Sequence, residues 1–315
     1  MEDGDIAIRC NLVTLSDEAD YMNKTMLDYC ADDISTAEAS ELIKTLEEHF
    51  GNKLFTFYPG ISYRHCLIWK NGKVGLHLTP PHDITDKVIT DYLENAQNAE
   101  PLLAMMKESY NILSNHLINK IRIASGKRPA NSIWLWGEGT KPSLSSFTST
   151  YGIKGSAISA VDLIKGIGKC AKMNVPNVEG ATGYIDTNFE GKALAALREL
   201  ANGQDLVFLH IEAPDECGHR GEVDNKVKSI ELIDSRALGL LLEGLAIYDD
   251  YKILIMPDHP TPLATKTHSR EPVPYLIYQK SVERTGASVF SEATAAATDK
   301  MIDPGYFIMK HFIEI

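Results

Sequence analysis

The residues best suited to chemistry are aspartates and histidines that flank short apolar runs in the second half of the sequence. Asp215 and His219 follow one run, Asp258 and His259 follow another, and His268 precedes a third. Such runs are typical of buried strands. Carboxylate and imidazole groups in this number suit two divalent ions such as Mn²⁺ or Zn²⁺. Because two such ions can clamp the attacking and leaving oxygens of a phosphoryl transfer, the pattern predicts a two-metal site.

Spacing alone leaves an alternative open at several of these positions. Asp215 and His219 would share one face of a helical turn, although Gly218 weakens such a turn. A helix-capping aspartate beside a surface histidine would show the same spacing. Asp258 and His259 lie between two prolines, which provide the irregular backbone that adjacent residues need to reach one site.

Three other features carry weaker signals. His268 lies in a polar loop, where a histidine needs no special reason. His210 lies within an apolar run, and we interpret it as a hydrogen-bonded core residue rather than a sixth ligand. Residues 166–169 (Gly-Ile-Gly-Lys) resemble a phosphate-cradling turn but lack the spacing of a Walker motif.

Cationic side chains lie on two predicted strands in the first part of the chain. Arg9 lies on one strand, and Arg64 and His65 lie on the other. An arginine that faces a cleft is a natural bidentate partner for a carboxylate or a phosphate. The sequence leaves open whether these residues face a cleft or bulk solvent.

Composition excludes several classes of protein. The net charge of −12 over 315 residues argues against a nucleic-acid surface, which needs clustered Lys and Arg. No apolar run approaches the roughly 20 residues of a membrane helix, and no secretory signal is recognisable. The five cysteines are scattered and form no CxxC pair, which predicts free thiols in the cytoplasm: Cys10, Cys30, Cys66, Cys170 and Cys217.

The elements that must position these residues follow from periodicity and capping signals. Ser35 and Glu38 form a capping box that opens a helix ending near residue 50, and a second helix is predicted over residues 101–122. After a break at residues 125–129, strands alternate with helices, which predicts a mostly parallel sheet that binds ligands at the carboxyl ends of its strands. We expect those strands near residues 132–136, 157–160, 206–212 and 252–256, and helices near residues 191–200 and 223–245.

Several motifs together resemble the cofactor-independent phosphoglycerate mutases of the archaeal type, which belong to the alkaline phosphatase superfamily. The resemblance covers essentially all 315 residues. It rests on Ala-Pro-Asp-Glu-Cys-Gly-His at 213–219, Pro-Asp-His-Pro-Thr-Pro at 257–262, His268 with Pro-Val-Pro at 272–274, and further matches at 57–65, 78–84, 131–137 and 180–188.

The resemblance implies an α/β fold with an alkaline-phosphatase-like, mostly parallel core over residues 131–315 and a smaller inserted α+β domain over residues 1–130. It implies that Asp215, His219 and His268 share one metal ion, while Asp258 and His259 bind a second. The ions would be Mn²⁺ or Zn²⁺, with Mg²⁺ a further candidate. The inserted domain would supply substrate contacts, for which Arg9, Arg64 and His65 are the candidates.

One departure from the family pattern stands out. The first strand of the core, its metal-binding aspartate and the nucleophilic serine that follows have no counterpart in this sequence, and Asp3-Gly4-Asp5 is no substitute because no apolar strand precedes it. We therefore expect a family member that lacks its N-terminal portion and is impaired or inactive. We also expect an uncovered sheet edge, and a homodimer is one way to cover it.

The implied activity is the glycolytic interconversion of 3-phosphoglycerate and 2-phosphoglycerate through a phosphoserine. The expected partner is therefore a small phosphorylated substrate, with neither nucleic acid nor a membrane involved. Two alternatives stay open: phosphoryl transfer to another small hydroxyl compound such as homoserine, and a catalytically inactive metal-binding relative.

Overall fold

The computed structural model describes residues 1–93, 99–284 and 286–315, which divide into the units Met1–Pro142 and Ser143–Ile315. The division expected after residue 130 lies twelve residues earlier than the one observed. The difference comes from one strand, for which the sequence predicts a place in the second domain.

That strand is β5 (Ser132–Thr140), and it pairs antiparallel with β1 (Ile6–Leu15) in the first unit. Its placement in the parallel core is therefore wrong. A buried strand has the same apolar sequence in a parallel or an antiparallel sheet, because only its hydrogen-bonding partner distinguishes the two kinds of sheet.

The first unit is built on an antiparallel sheet in which β1 is the central strand. β1 pairs with β4 and β5, and its last residues pair with β2, while β3 pairs with β4. One face of this sheet packs on helices and forms the larger hydrophobic core. Besides β1 and β5, the elements in chain order are β2 (Met26–Asp28), α1 (Thr36–Phe50), β3 (Phe55–Tyr58), β4 (Arg64–Trp69), α2 (Glu100–Ser114) and α3 (Leu117–Ala124).

The capping box predicted for α1 is confirmed. The Ser35 hydroxyl accepts from the Glu38 amide at 3.3 Å, and the Glu38 carboxylate accepts from the Ser35 amide at 3.4 Å. The same carboxylate accepts from the buried Arg122 guanidinium at 2.9 Å. The cap therefore also ties α1 to α3.

The single helix predicted over residues 101–122 is in fact two helices. α2 ends at Ser114, and α3 begins after His116, whose side chain accepts from the Ile118 amide at 3.2 Å. The apolar spacing continues across the break, and histidine is not among the usual capping residues. The sequence therefore did not predict the break.

The second unit has the alternating helices and strands that the sequence predicts. In chain order they are α4 (Phe147–Tyr151), β6 (Gly155–Ile158), α5 (Asp162–Cys170), α6 (Phe189–Ala201), β7 (Leu206–Leu209), α7 (Ala213–Arg220), α8 (Val223–Leu232), a π-helical turn (Ile233–Leu238), α9 (Gly239–Leu245), β8 (Lys252–Ile255), β9 (Leu276–Gln279), α10 (Glu292–Ala296) and α11 (Ile308–Glu314). The glycine-rich residues 166–169 lie inside α5 rather than in a phosphate-binding turn.

Two strand pairs form the sheet structure of this unit. β6 and β7 pair in parallel, and β8 and β9 pair antiparallel. Within the described residues β7 pairs only with β6 and β8 pairs only with β9, so each of these two strands has an open edge. Phe208 on β7 and Leu276 on β9 are also exposed, although such strand residues are usually covered in an α/β core.

In the described part of the chain, no helix is both long enough and apolar enough to cross a membrane.

Candidate metal centre

The helix α7 fixes the first two site residues. It starts directly after the turn that follows β7, with Pro214 in its first turn, and ends at Gly221, whose φ of +72° suits glycine. Asp215 and His219 are therefore one helical turn apart on the same face. The Asp215 Oδ2 and His219 Nε2 atoms lie 3.3 Å apart, so the expected helical turn exists.

The loop after β8 brings in the second pair. Asp258 and His259 follow the strand, and the Thr261 hydroxyl then donates to the Asp215 carboxylate. Lys226 of α8 joins the two segments, because its Nζ donates to the Pro214 carbonyl and to the Thr261 carbonyl, each at 3.0 Å. The carboxyl ends of β7 and β8 thus meet at one place.

Gly218 lies where α7 touches this loop. A Cβ at this position would lie 2.7 Å from the Thr261 carbonyl oxygen and 2.9 Å from the Lys226 Nζ. The glycine that made a helix less certain from sequence is therefore required by the close approach of the loop.

We expect Gly218→Ala to lower the free energy of unfolding by about 1 to 3 kcal/mol, because the added methyl group pushes backbone away from backbone. Chemical unfolding of the metal-free protein measures this change. Gly166→Ala, in α5 and with no atom near its would-be Cβ, is the matched control. Equal stability of Gly218→Ala and the parent protein would contradict this account of the contact.

His219, His268 and Asp215 form a compact triangle of ligand atoms. The Nε2 atoms of His219 and His268 are 3.0 Å apart, and the His268 Nε2 is 3.4 Å from the Asp215 Oδ1. Donor atoms bound to one tetrahedral ion at 2.0–2.2 Å lie roughly 3.3–3.6 Å from each other. The spacing and the mixed carboxylate–imidazole chemistry of the triangle therefore fit one divalent ion.

His259 adjoins this triangle and connects it to Asp258. Its ring centroid lies 3.8 Å from that of His268, and one ligand atom each from Asp215, His259 and His268 fall within 4.8 Å of one another. The His259 Nε2 is 3.5 Å from the Asp258 Oδ2, and the Asp258 side chain is 62% exposed. All five residues singled out in the sequence thus lie in one continuous network.

Sequence similarity decides the family. The chain matches the Metalloenzyme superfamily over residues 35–311. It is 44% identical over 311 residues to a probable 2,3-bisphosphoglycerate-independent phosphoglycerate mutase of Geobacter sulfurreducens, covering 98% of this chain and 77% of that protein. The chain belongs to this mutase family. It is also 47% identical over 294 residues to the mutase of Methanosarcina barkeri, covering 92% of this chain and 72% of that protein.

Solved structures agree with the fold. A protein from Pyrococcus horikoshii aligns with a TM-score of 0.74 at 26% identity, covering 94% of this chain and 70% of the other. The cofactor-independent phosphoglycerate mutase of Thermoplasma acidophilum aligns with a TM-score of 0.59 at 23% identity, covering all of this chain and 77% of the other. The resemblance and the mixed α/β fold expected from the sequence are confirmed, and membership of the superfamily implies divalent-metal binding.

Glu212 and Lys192, which the sequence did not single out, lie beside this site together with His210, which we interpreted from the sequence as a core residue. The His210 Nε2 lies 3.4 Å from a Glu212 carboxylate oxygen, and the Lys192 Nζ lies 3.5 Å from the His210 carbonyl oxygen. Burial raises the pKa of the Glu212 carboxyl, and the negative charges of Asp215 and Asp258 raise it further. Burial lowers the pKa of His210, although Asp258 opposes the shift, and burial lowers the pKa of Lys192 to about 8.

The cationic candidates of the first unit separate onto two faces of its sheet. In the β1–β4 register Asn11 lies opposite Arg64 and Arg9 lies opposite Cys66, so Arg9 and Arg64 share a face. Both arginines are exposed. The Arg9 guanidinium lies 4.7 Å from the Trp136 ring centroid, and that of Arg64 lies 4.3 Å from the Tyr63 ring centroid.

His65 is on the opposite face, inside the core. It is 6% exposed, its Nδ1 accepts from the Gly60 amide at 3.0 Å, and burial lowers its pKa to about 4. Adjacent strand residues point to opposite faces, so Arg64 and His65 do not act together on one ligand. A buried neutral imidazole also disfavours the expected ionic contact with a phosphate.

Proposed function

We propose that this chain supplies the metal and substrate sites for a metal-dependent interconversion of 3-phosphoglycerate and 2-phosphoglycerate through a phosphoserine, whose serine has no counterpart in this sequence. The observation that carries the proposal is the Asp–His network at the carboxyl ends of β7 and β8 in a member of the mutase family. Bound divalent ions there would lower the pKa of an attacking hydroxyl and neutralise charge on the transferring phosphoryl group.

The network divides into a fuller and a sparser ligand set. We assign Asp215, His219 and His268 to one ion, since their donor atoms are mutually spaced for it. We assign Asp258 and His259 to a second ion, for which they supply two donors. Mn²⁺ or Zn²⁺ suits this mixture of oxygen and nitrogen donors, and Mg²⁺ is less suited to imidazole.

The sparser set has a consequence for activity. Two donors hold an ion less firmly than three, and no serine of the sequence stands in the context that the family's nucleophile requires. We therefore propose that this chain by itself binds one ion well and a second weakly, and that its mutase turnover is strongly impaired.

The exposed arginines are the proposed contacts for the carboxylate and phosphate of the substrate. Arg9 and Arg64 share one face, and each guanidinium is held over an aromatic ring that limits its freedom before a ligand binds. We leave His65 out of the direct contacts because of its burial.

Replacing Arg64 by Ala should weaken the binding of 3-phosphoglycerate about ten- to a hundredfold, since a charge-assisted contact is worth roughly 1.5–3 kcal/mol. Calorimetric titration of the Mn²⁺-loaded protein measures the affinity. Arg198→Ala, which removes an exposed arginine from α6, is the control. If both variants bind as the parent does, Arg64 is an ordinary surface residue.

The activity itself is tested by incubating the Mn²⁺-loaded chain with 3-phosphoglycerate and following formation of 2-phosphoglycerate by phosphorus NMR. Slow turnover that Asp215→Asn abolishes supports the proposal. Phosphorylation of homoserine from ATP, without mutase turnover, would replace it with the kinase alternative. Binding of phosphoglycerate with no turnover of either kind would identify an inactive relative.

A further inference from the structure

The histidine of α7 turns only one of its two ring nitrogens to the ligand triangle. The His219 Nε2 lies 3.3 Å from the Asp215 Oδ2 and 3.0 Å from the His268 Nε2. The His219 Nδ1 instead contacts the Lys266 carbonyl oxygen at 2.9 Å. A carbonyl oxygen can only accept a hydrogen bond, so this contact requires a proton on Nδ1. The neutral ring then carries its lone pair on Nε2.

The loop that supplies this carbonyl is held by its own backbone. The Lys266 amide donates to the Pro262 carbonyl at 2.9 Å, and the Thr265 amide donates to the same carbonyl at 3.2 Å. The Ser269 amide donates to the Pro260 carbonyl at 3.2 Å and closes the loop. These bonds set the direction of the Lys266 carbonyl within the loop itself.

Lys266 adopts an unusual backbone conformation at this point. Its φ is +53°, a region that residues other than glycine seldom occupy and that is enriched at functional sites. Its side-chain stem packs on the end of α7, where a Cβ at Gly221 would lie 2.5 Å from the Lys266 Cε. The loop is therefore fitted closely to the helix that carries His219.

We propose that Lys266, through its backbone carbonyl, is a positioning residue that holds His219 in the Nδ1–H tautomer and so presents the Nε2 lone pair to the metal ion. The inference rests on the proposed function, in which His219 is a metal ligand. A histidine ligand binds through an unprotonated nitrogen, and the hydrogen bond at its other nitrogen determines which one that is. His219 is thus in its binding form before an ion arrives.

Nitrogen-15 NMR of the ring nitrogens tests the tautomer directly in the unaltered protein. Spectra are recorded at pH 8, where free histidine is neutral, and the His219 signals are identified by their loss in His219→Ala. We expect a protonated Nδ1 and an unprotonated Nε2 in the metal-free protein, and the same Nδ1 proton after Zn²⁺ is added. A proton on Nε2 of the metal-free protein, with or without one on Nδ1, would overturn the proposal.

Substitutions at Lys266 separate the carbonyl from the side chain. Lys266→Pro cannot keep a φ of +53° and loses the amide bond to Pro262, so its carbonyl should turn away from His219. Calorimetric titration should show Zn²⁺ binding weakened about ten- to a hundredfold, the usual effect of losing an outer partner of a ligand. Lys266→Gly keeps the backbone conformation without the ammonium group and should bind at least as tightly as the parent.

The matched control repeats the same damage away from the metal centre. Lys172 is an exposed lysine with a φ of +56°, and its amide donates to the Lys169 carbonyl at 3.0 Å. Lys172→Pro should therefore bind Zn²⁺ as the parent does. Unchanged binding in Lys266→Pro as well would overturn the proposal.

A double-mutant cycle with His219→Ala shows whether the loss passes through His219. In the His219→Ala background, Lys266→Pro should have little further effect, because the residue that it positions is absent. Equal losses in both backgrounds would overturn the proposal, since the proline would then act through His268 or the whole loop. Unfolding midpoints without metal show whether Lys266→Pro folds, and if it does not, the ring-nitrogen spectra of the parent decide. The proposed function fails separately, when these results hold but the Mn²⁺-loaded chain gives no mutase turnover.

Discussion

Asp215→Asn is expected to weaken Mn²⁺ binding by at least a hundredfold and to abolish any mutase turnover. Asp215 is the carboxylate of the ligand triangle, with oxygens 3.3 Å from the His219 Nε2 and 3.4 Å from the His268 Nε2. The loss should exceed the roughly ten- to hundredfold effect of removing a partner that only orients a ligand. Calorimetric titration of the metal-free protein with Mn²⁺ measures it.

The matched control for this variant lies on the same helix. Glu216→Gln removes a carboxylate from the next position of α7, where it pairs with Arg220 at 3.0 Å on the solvent side. It changes the net charge of α7 by the same amount without touching the triangle. If Glu216→Gln weakens Mn²⁺ binding as much as Asp215→Asn, general electrostatic attraction rather than ligation explains the affinity.

Local signals in the sequence predicted which Asp and His residues come together. Two apolar runs end in Asp and His, and ligands collect at the carboxyl ends of parallel strands. These two facts sufficed to predict that Asp215 and Asp258 lie close together. The capping box at Ser35 likewise marked the start of α1. These signals each involve only a few neighbouring residues, and so they can be recognised in the sequence alone.

Features that depend on distant partners were not predicted. The apolar character of β5 does not say that it pairs with β1, and the spacing in the second helix does not show its break at His116. The burial of His65 was also missed, although it could have been predicted. Strand alternation places His65 on the buried face once Arg64 is taken to be exposed. The burial of Lys192 was not predicted either. Lysine is common in helices, and its burial here depends on the packing of α6 against β7.

The buried Lys192 leads to the second large effect, which concerns stability against pH. Lys192 is fully buried on α6, and its Nζ donates to the His210 carbonyl oxygen at 3.5 Å. Burial lowers its pKa from 10.5 to about 8, although the Glu212 carboxylate opposes the shift. Since the folded pKa is below the unfolded one, the folded protein releases this proton first as the pH rises.

Stability should therefore increase with pH in the window from about 8 to 10.5. Below that window Lys192 is charged in both states, and folding bears the full cost of burying the charge. Above it the group is neutral in both states, and the cost has gone. At 1.36 kcal/mol per pKa unit, the change attributable to Lys192 is about 3 kcal/mol.

Chemical unfolding of metal-free protein across this window, compared between the parent and Lys192→Met, isolates the effect from other groups that titrate there. The parent should gain about 3 kcal/mol relative to Lys192→Met between the two ends of the window. Lys169→Met, which removes an exposed lysine from α5, should follow the parent. Identical pH profiles for the parent and Lys192→Met would mean that water reaches the ammonium group. In that case Lys192 would be an ordinary charged lysine that only anchors the end of β7.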